Sequence, residues 1–145
     1  IQNQKIDSWI SQIGTPSYST WCGLAFERIC LLHTKQIKYA LGIQGISSRE
    51  YSWRSTQTTP GAQIDLLIDR KDDVINLCEM KYSAEEYAID AEYEKSLLHK
   101  AEAFRSETKT KKAILLTMVT FSGLKNNVHK NVIVNEISAD SLFQA

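Results

Sequence analysis

The stretch 63–82 reads as two strands joined by Lys71-Asp72-Asp73, and no other feature restricts the fold as much. Residues 63–70 and 74–82 are both rich in Ile and Leu, and so short a connection returns the chain as an antiparallel hairpin. Side chains alternate between the faces of a strand. Gln63, Asp65 and Leu67 then share one face of the first strand, and Ile75, Leu77, Glu79 and Lys81 share one face of the second. A turn centred on Asp72 pairs residues whose numbers sum to 144. Asp65 is then opposite Glu79, Gln63 opposite Lys81, and Leu67 opposite Leu77.

This register sets two carboxylates face to face, with Cβ atoms about 4.5–5.5 Å apart. Like charges at that distance destabilise a sheet unless something neutralises them. Ile, Leu and Cys flank both residues, so little water is expected around them. A hard divalent cation resolves the conflict, and two carboxylates with water suit Mg²⁺ or Mn²⁺. Lys81 adds a positive charge that can orient a water or stabilise an oxyanion. Spacing alone leaves a second reading open, an exposed and mildly repulsive surface pair. Another Glu-x-Lys, Glu107-Thr108-Lys109, lies in a polar segment with no acidic strand before it and reads as surface.

Apolar spacing predicts a short amphipathic helix over 5–13 and a second over 20–41, capped by Ser19 or Thr20 and ended by Gly42 and Gly45. The second is apolar nearly all round, the pattern of a buried helix. Glu27 lies inside it. An ionised, unpaired carboxylate there costs several kcal/mol. Glu27 therefore either pairs with a basic residue or reaches a metal, and convergence on the Asp65–Glu79 cation is the sharper account. Further along, strand 50–55, turn 58–62, helix 84–106, central strand 112–120, polar loop 122–130, strand 132–137 and a terminal turn at 141–143 complete the chain.

The order predicts a mixed α/β (α+β) fold, a central mixed β-sheet flanked by helices. The 145 residues fit one domain, with 1–18 a linker or helix and 19–137 the core. Lys plus Arg and Asp plus Glu number 17 each, so no global basic field advertises nucleic acid. Such a partner needs a local patch: Lys109, Lys111 and Lys112, or Lys125, His129 and Lys130. Taken alone, each patch reads first as a solvated loop, since charge runs are usually surface.

Cys22, Cys30 and Cys78 form no Cys-x-x-Cys pair. Cys22 and Cys30 are about 12 Å apart along a helix, too far for a disulfide. Buried, reduced thiols and a cytoplasmic protein are expected. No run of ~20 apolar residues marks a membrane span, no signal peptide is visible, and no phosphate-binding Gly-x-x-x-x-Gly-Lys motif occurs. The chain opens on Ile1, which reads as a fragment of a longer protein.

Glu27 on its helix, Asp65 within Gly61-Ala62-Gln63-Ile64-Asp65-Leu66-Leu67-Ile68, and Glu79-Met80-Lys81 together resemble the PD-(D/E)xK nuclease superfamily. The resemblance spans about residues 21–119 and implies the restriction-endonuclease-like αβββαβ core. More narrowly, Gly23-Leu24-Ala25-Phe26-Glu27, Gly61-Ala62-Gln63-Ile64-Asp65 and Thr120-Phe121-Ser122-Gly123-Leu124-Lys125 resemble the C-terminal domain behind bacterial and archaeal AAA-type ATPases. The resemblance implies metal-dependent hydrolysis of nucleic-acid phosphodiester bonds, DNA foremost, beside an ATPase domain that lies outside this chain. It assigns Asp65 and Glu79 as metal ligands, helped by the Met80 backbone carbonyl and by Glu27, directly or through water. Lys81 is then the residue that positions the attacking water, and Gln63 touches metal-bound water or phosphate. Ile64 stands where the family motif often has proline. Three functions remain in competition: a Mg²⁺- or Mn²⁺-dependent nuclease, a non-catalytic nucleic-acid-binding or regulatory module, and a structural interaction domain, which leaves Glu27 unexplained. A homo-oligomer is left open.

Overall fold

The computed structural model describes residues 16–57 and 61–142. The helix expected over 5–13 and most of the turn expected over 58–62 lie outside them. The elements are α1 (Pro16–Leu32), α2 (Thr34–Ala40), β1 (Ser48–Arg54), β2 (Gln63–Arg70), β3 (Val74–Lys81), α3 (Ala91–Thr108), β4 (Ala113–Thr120), a 3-10 helix (Val128–Val132), β5 (Asn135–Ser138) and α4 (Ala139–Leu142). They build a mixed α/β fold. One sheet of order β1-β2-β3-β4-β5 has antiparallel pairs on the β1 side and parallel pairs on the β5 side. The parallel β3–β4 pair needs a crossover, and α3 supplies it.

Strand alternation distributes the core over two faces. On one, Phe26 and Cys30 of α1 pack with Leu66, Ile68, Cys78 and Met80. On the other, Leu97 and Phe104 of α3 pack with Ile64, Leu67, Leu77 and Leu116. The Phe104 ring stands edge-on to Trp53 at 5.3 Å. Each such buried aliphatic or aromatic side chain stabilises the fold by about 1.5–3 kcal/mol.

At the hairpin end of the sheet, Asn76 of β3 is almost fully buried and ties its strand to three others. Its amide donates to Thr117 Oγ1 at 3.0 Å and to Asn135 Oδ1 at 3.2 Å, and its carbonyl accepts from Arg70 Nη1 at 3.1 Å.

The helix expected over 20–41 differs from the observed one in three ways. It begins at Pro16, whose missing N–H costs nothing in a first turn. The Thr20 hydroxyl, an expected cap, donates back to Pro16 O at 2.9 Å. It breaks at His33, whose Nδ1 lies 2.7 Å from Ile29 O, before α2 begins. It is also not buried all round. A helix lying on one sheet face hides one stripe, here Cys22, Phe26 and Cys30, and leaves Trp21 55%, Leu24 64% and Leu32 74% exposed.

The helix expected over 84–106 starts only at Ala91, because the Asp90 carboxylate accepts from Tyr93 N at 2.7 Å and caps it. The residues before it include Tyr87, which bridges to Leu124. The first strand begins at Ser48, ahead of the expected 50. The last strand is Asn135–Ser138 and not 132–137, since residues up to Val132 form the 3-10 helix. The terminal turn is instead a short helix over Ala139–Leu142. Cys22, Cys30 and Cys78 are free and buried. Burial pushes the Cys30 thiol up to about 12 and raises Cys78 further, so both remain neutral and apolar in character. No helix among the described residues is long and apolar enough to cross a membrane.

Candidate functional site

The β2–β3 ladder has the expected register, with Leu67 opposite Leu77 and Leu66 opposite Cys78. It runs from Asp69↔Ile75 to Leu66↔Cys78, one step short of Asp65 and Glu79. The expectation that these two face each other as a ladder pair is therefore corrected, as is the Gln63–Lys81 pairing. The cause lies on the other side of β2. Tyr51 pairs with Leu67 but Trp53 pairs with Ile64, so β2 uses one residue more than β1 over this stretch. Such a bulge bends its strand and sharpens the local twist. β2 peels from β3, and the alternation of faces is interrupted: Ile64 and Leu67 join the same cluster.

The acidic residues gather where the strands part. Glu27 arrives on α1 from the Cys78 face. Burial pushes its carboxyl above the usual range, and the Asp65 carboxylate within hydrogen-bonding reach pushes it further, as does Glu79, while Lys81 opposes them. Glu79 is buried on β3. Desolvation raises its carboxyl first, Lys100 on α3 pulls it back, Asp65 raises it again, and Lys81 lowers it. Glu27, Asp65, Glu79 and Lys81 thus share one electrostatic neighbourhood, although they come from three separate elements.

Gln63 holds Asp65 in place. Its Nε2 donates to Asp65 Oδ1 at 3.0 Å, and its Oε1 accepts from Arg54 Nη2 at 2.9 Å. The chain Arg54–Gln63–Asp65 leads from surface to site. The Lys81 ammonium sits 5.1 Å from the centre of the Tyr93 ring. Met80 lies two residues past the last β2–β3 pair, with its side chain in the α1-side core.

The expected basic patches fall at opposite ends of the sheet. Lys109, Lys111 and Lys112 lie near the start of β4, far from Lys81, and Lys112 Nζ is bound to Asp69 Oδ1 at 2.6 Å and Arg70 O at 2.7 Å. Lys125 and Lys130 follow the end of β4, which neighbours Lys81. Lys125 is exposed. Lys130 pairs with Glu136 at 3.0 Å, and His129 with Glu94 at 2.6 Å.

The donor set, three carboxyls with hard oxygens, fits Mg²⁺ or Mn²⁺ in chemistry. The side chains are not drawn tight: among the described residues no group of three or more His, Cys, Asp or Glu is spaced to hold a metal ion. Two positive charges balance the cluster instead. Lys81 acts at a distance, and Lys100 Nζ contacts Glu79 Oε1 at 2.8 Å.

Lys100, Arg54 and Tyr93 are the site neighbours that sequence reasoning missed. Lys100 stands three residues after Leu97 and four before Phe104, a lysine on an apolar stripe, and that spacing was the available signal. Arg54 and Tyr93 carry no comparable mark. Comparison with family models, with curated proteins and with solved structures finds no match to this chain.

Proposed function

We propose that this chain is a Mg²⁺- or Mn²⁺-dependent phosphodiesterase acting on nucleic acid, DNA foremost, on a restriction-endonuclease-like core. What supports the reading is that Glu27, Asp65, Glu79 and Lys81 lie close enough, beyond the last β2–β3 pair, for their charges to act on one another. Asp65 and Glu79 would hold the cation, with Glu27 and the Met80 carbonyl in support. When bound, such a cation polarises a phosphoryl oxygen and makes its water a stronger acid. Lys81 offers donors only, so its part is to orient a water or meet the charge growing on phosphate. Gln63 fixes the Asp65 carboxylate, and Arg54 at its far side meets phosphate at the rim. Lys125 and Lys130 extend that rim along the same end of the sheet. By this reading the domain serves a longer cytoplasmic protein with an AAA-type ATPase domain.

A second reading, a nucleic-acid-binding or regulatory module that does not cleave, draws on the balance of 17 basic and 17 acidic residues. It also draws on the engagement of Lys112 and Lys130 in internal ion pairs. Incubation with supercoiled plasmid and Mn²⁺ separates the two. Nicking by the wild type, lost in Glu79→Ala and in EDTA, supports the nuclease. DNA binding without nicking supports the module.

A further inference from the structure

The Glu79 carboxylate is held by a lysine from another element, not by the lysine two residues along its own strand. Lys100 Nζ lies 2.8 Å from Glu79 Oε1, with only 22% and 8% of the two side chains exposed. Lys81, meanwhile, is stationed over the Tyr93 ring. The course of α3 turns Lys100 toward Glu79. Leu97 and Phe104, the buried residues on either side, point that face of the helix into the sheet. A lysine between them can keep its stem in the core, and its ammonium needs a partner at the rim.

We propose that Lys100 is a positioning residue that holds Glu79 until a divalent cation takes that carboxylate, after which its ammonium turns to the phosphate of the nucleic acid. This rests on the reading of the site as metal-dependent. The physical basis is competition for one charge. A largely desolvated carboxylate needs a positive neighbour, and Lys100 provides a single charge at one oxygen. A divalent cation binding the same carboxylate together with Asp65 offers twice the charge. Ammonium and cation repel at contact distance, so the lysine must swing aside. Its long stem lets the head move while the stem stays packed, and the positive charge it carries is then free beside the reacting phosphate.

The test is a calorimetric Mn²⁺ titration of wild type, Lys100→Met and Lys100→Gln, at a pH where Glu79 is ionised in all three, beside plasmid nicking at saturating Mn²⁺. If the Lys100–Glu79 pair is closed nine-tenths of the time, removing it tightens Mn²⁺ binding about tenfold. Nicking at saturation should fall on the order of 100-fold, as for loss of a well-placed donor. A lysine that merely holds the fold would weaken both. The glutamine variant keeps a polar head should the methionine variant fail to fold. Unchanged or weaker Mn²⁺ binding in whichever variants fold, with the wild type binding Mn²⁺ normally, overturns the role given to Lys100 and leaves the nuclease reading standing. Absence of Mn²⁺ binding in the wild type overturns the metal-dependent reading, and this one with it.

Discussion

The Lys81 ammonium stands 5.1 Å from the centre of the Tyr93 ring and forms a cation–π contact across the β3–α3 interface. The contact holds the lysine near Glu27, Asp65 and Glu79 without consuming a carboxylate. Its charge still reaches both glutamates and lowers their proton affinity. A lysine kept free of a hydrogen-bonded ion pair can meet charge that appears only during reaction.

Lys81→Ala is therefore expected to cut metal-dependent nicking by roughly 10²–10³-fold, with the fold and Mn²⁺ binding retained. Nicking rates of wild type and variant at matched Mn²⁺ check this. Equal rates would remove Lys81 from the mechanism.

Mn²⁺ is expected to stabilise the folded chain. At one hundred times its dissociation constant, a ligand of the native state alone adds about 2.7 kcal/mol, a rise in Tm on the order of 10 °C for a domain this size. Asp65→Asn should abolish the rise. Thermal melts with and without Mn²⁺ read the difference, and an equal rise in the variant would place the cation elsewhere.

In EDTA the acidic cluster gives stability a pH dependence of opposite sign to that of an ordinary salt-bridged carboxylate. Burial raises the folded-state values of Glu79 and Glu27 above the ordinary 4.5. The native chain then binds these protons more readily than the unfolded chain. Their contribution is complete below about pH 4.5 and is lost as pH rises through the raised values. The stability of Glu79→Gln relative to wild type is expected to grow as pH climbs from 4.5 toward neutrality. A difference that stays flat or shrinks over that window contradicts this assignment.

Asn76→Ala should destabilise the chain by roughly 1–3 kcal/mol, because it strips partners from Arg70, Thr117 and Asn135. Urea unfolding should show a lower midpoint at unchanged slope, and Mn²⁺ binding should survive, since this network lies at the other end of the sheet. Loss of Mn²⁺ binding in a folded Asn76→Ala would show that the two ends act together.

The hairpin was legible because local sequence dictates it. A three-residue turn sets the register, and the apolar runs set the pairing of Leu66 with Cys78 and Leu67 with Leu77. The bulge at the far end was not legible, since it depends on how β1 lies against β2. No local signal at Ile64 or Asp65 announces it. The buried helix was misread for a related reason. Composition reports how apolar a helix is but not how much of its circumference a single sheet can cover, and Trp21, Leu24 and Leu32 lie on the uncovered side. Glu27 drew notice because the helix was expected to be buried all round; in the structure it is half-buried at the edge of the stripe formed by Cys22, Phe26 and Cys30. Lys100 was not legible because Leu97, Leu98, Ala101 and Phe104 all fit one apolar stripe by sequence, whereas Leu98 is half exposed and the buried face runs through Leu97 and Phe104 beside Lys100.

The early end of the β2–β3 ladder also sets an order of assembly. A hairpin closes first at its turn, where the least chain must be ordered. Here Asp73 takes a φ of 65°, and the Arg70 guanidinium grips the Asp72 carboxylate. Pairing then zips from Asp69 and Ile75 toward Leu66 and Cys78 and halts before Asp65 meets Glu79. Repulsion between those carboxylates therefore opposes no step of hairpin nucleation. In the folded chain α1 and α3 lie on opposite faces, and they bring Glu27 and Lys100 to that end of the hairpin. That end of the hairpin is held by β1 and β4 and not by its own partner strand, and its amides should exchange with solvent sooner than those of Ile68 and Asn76.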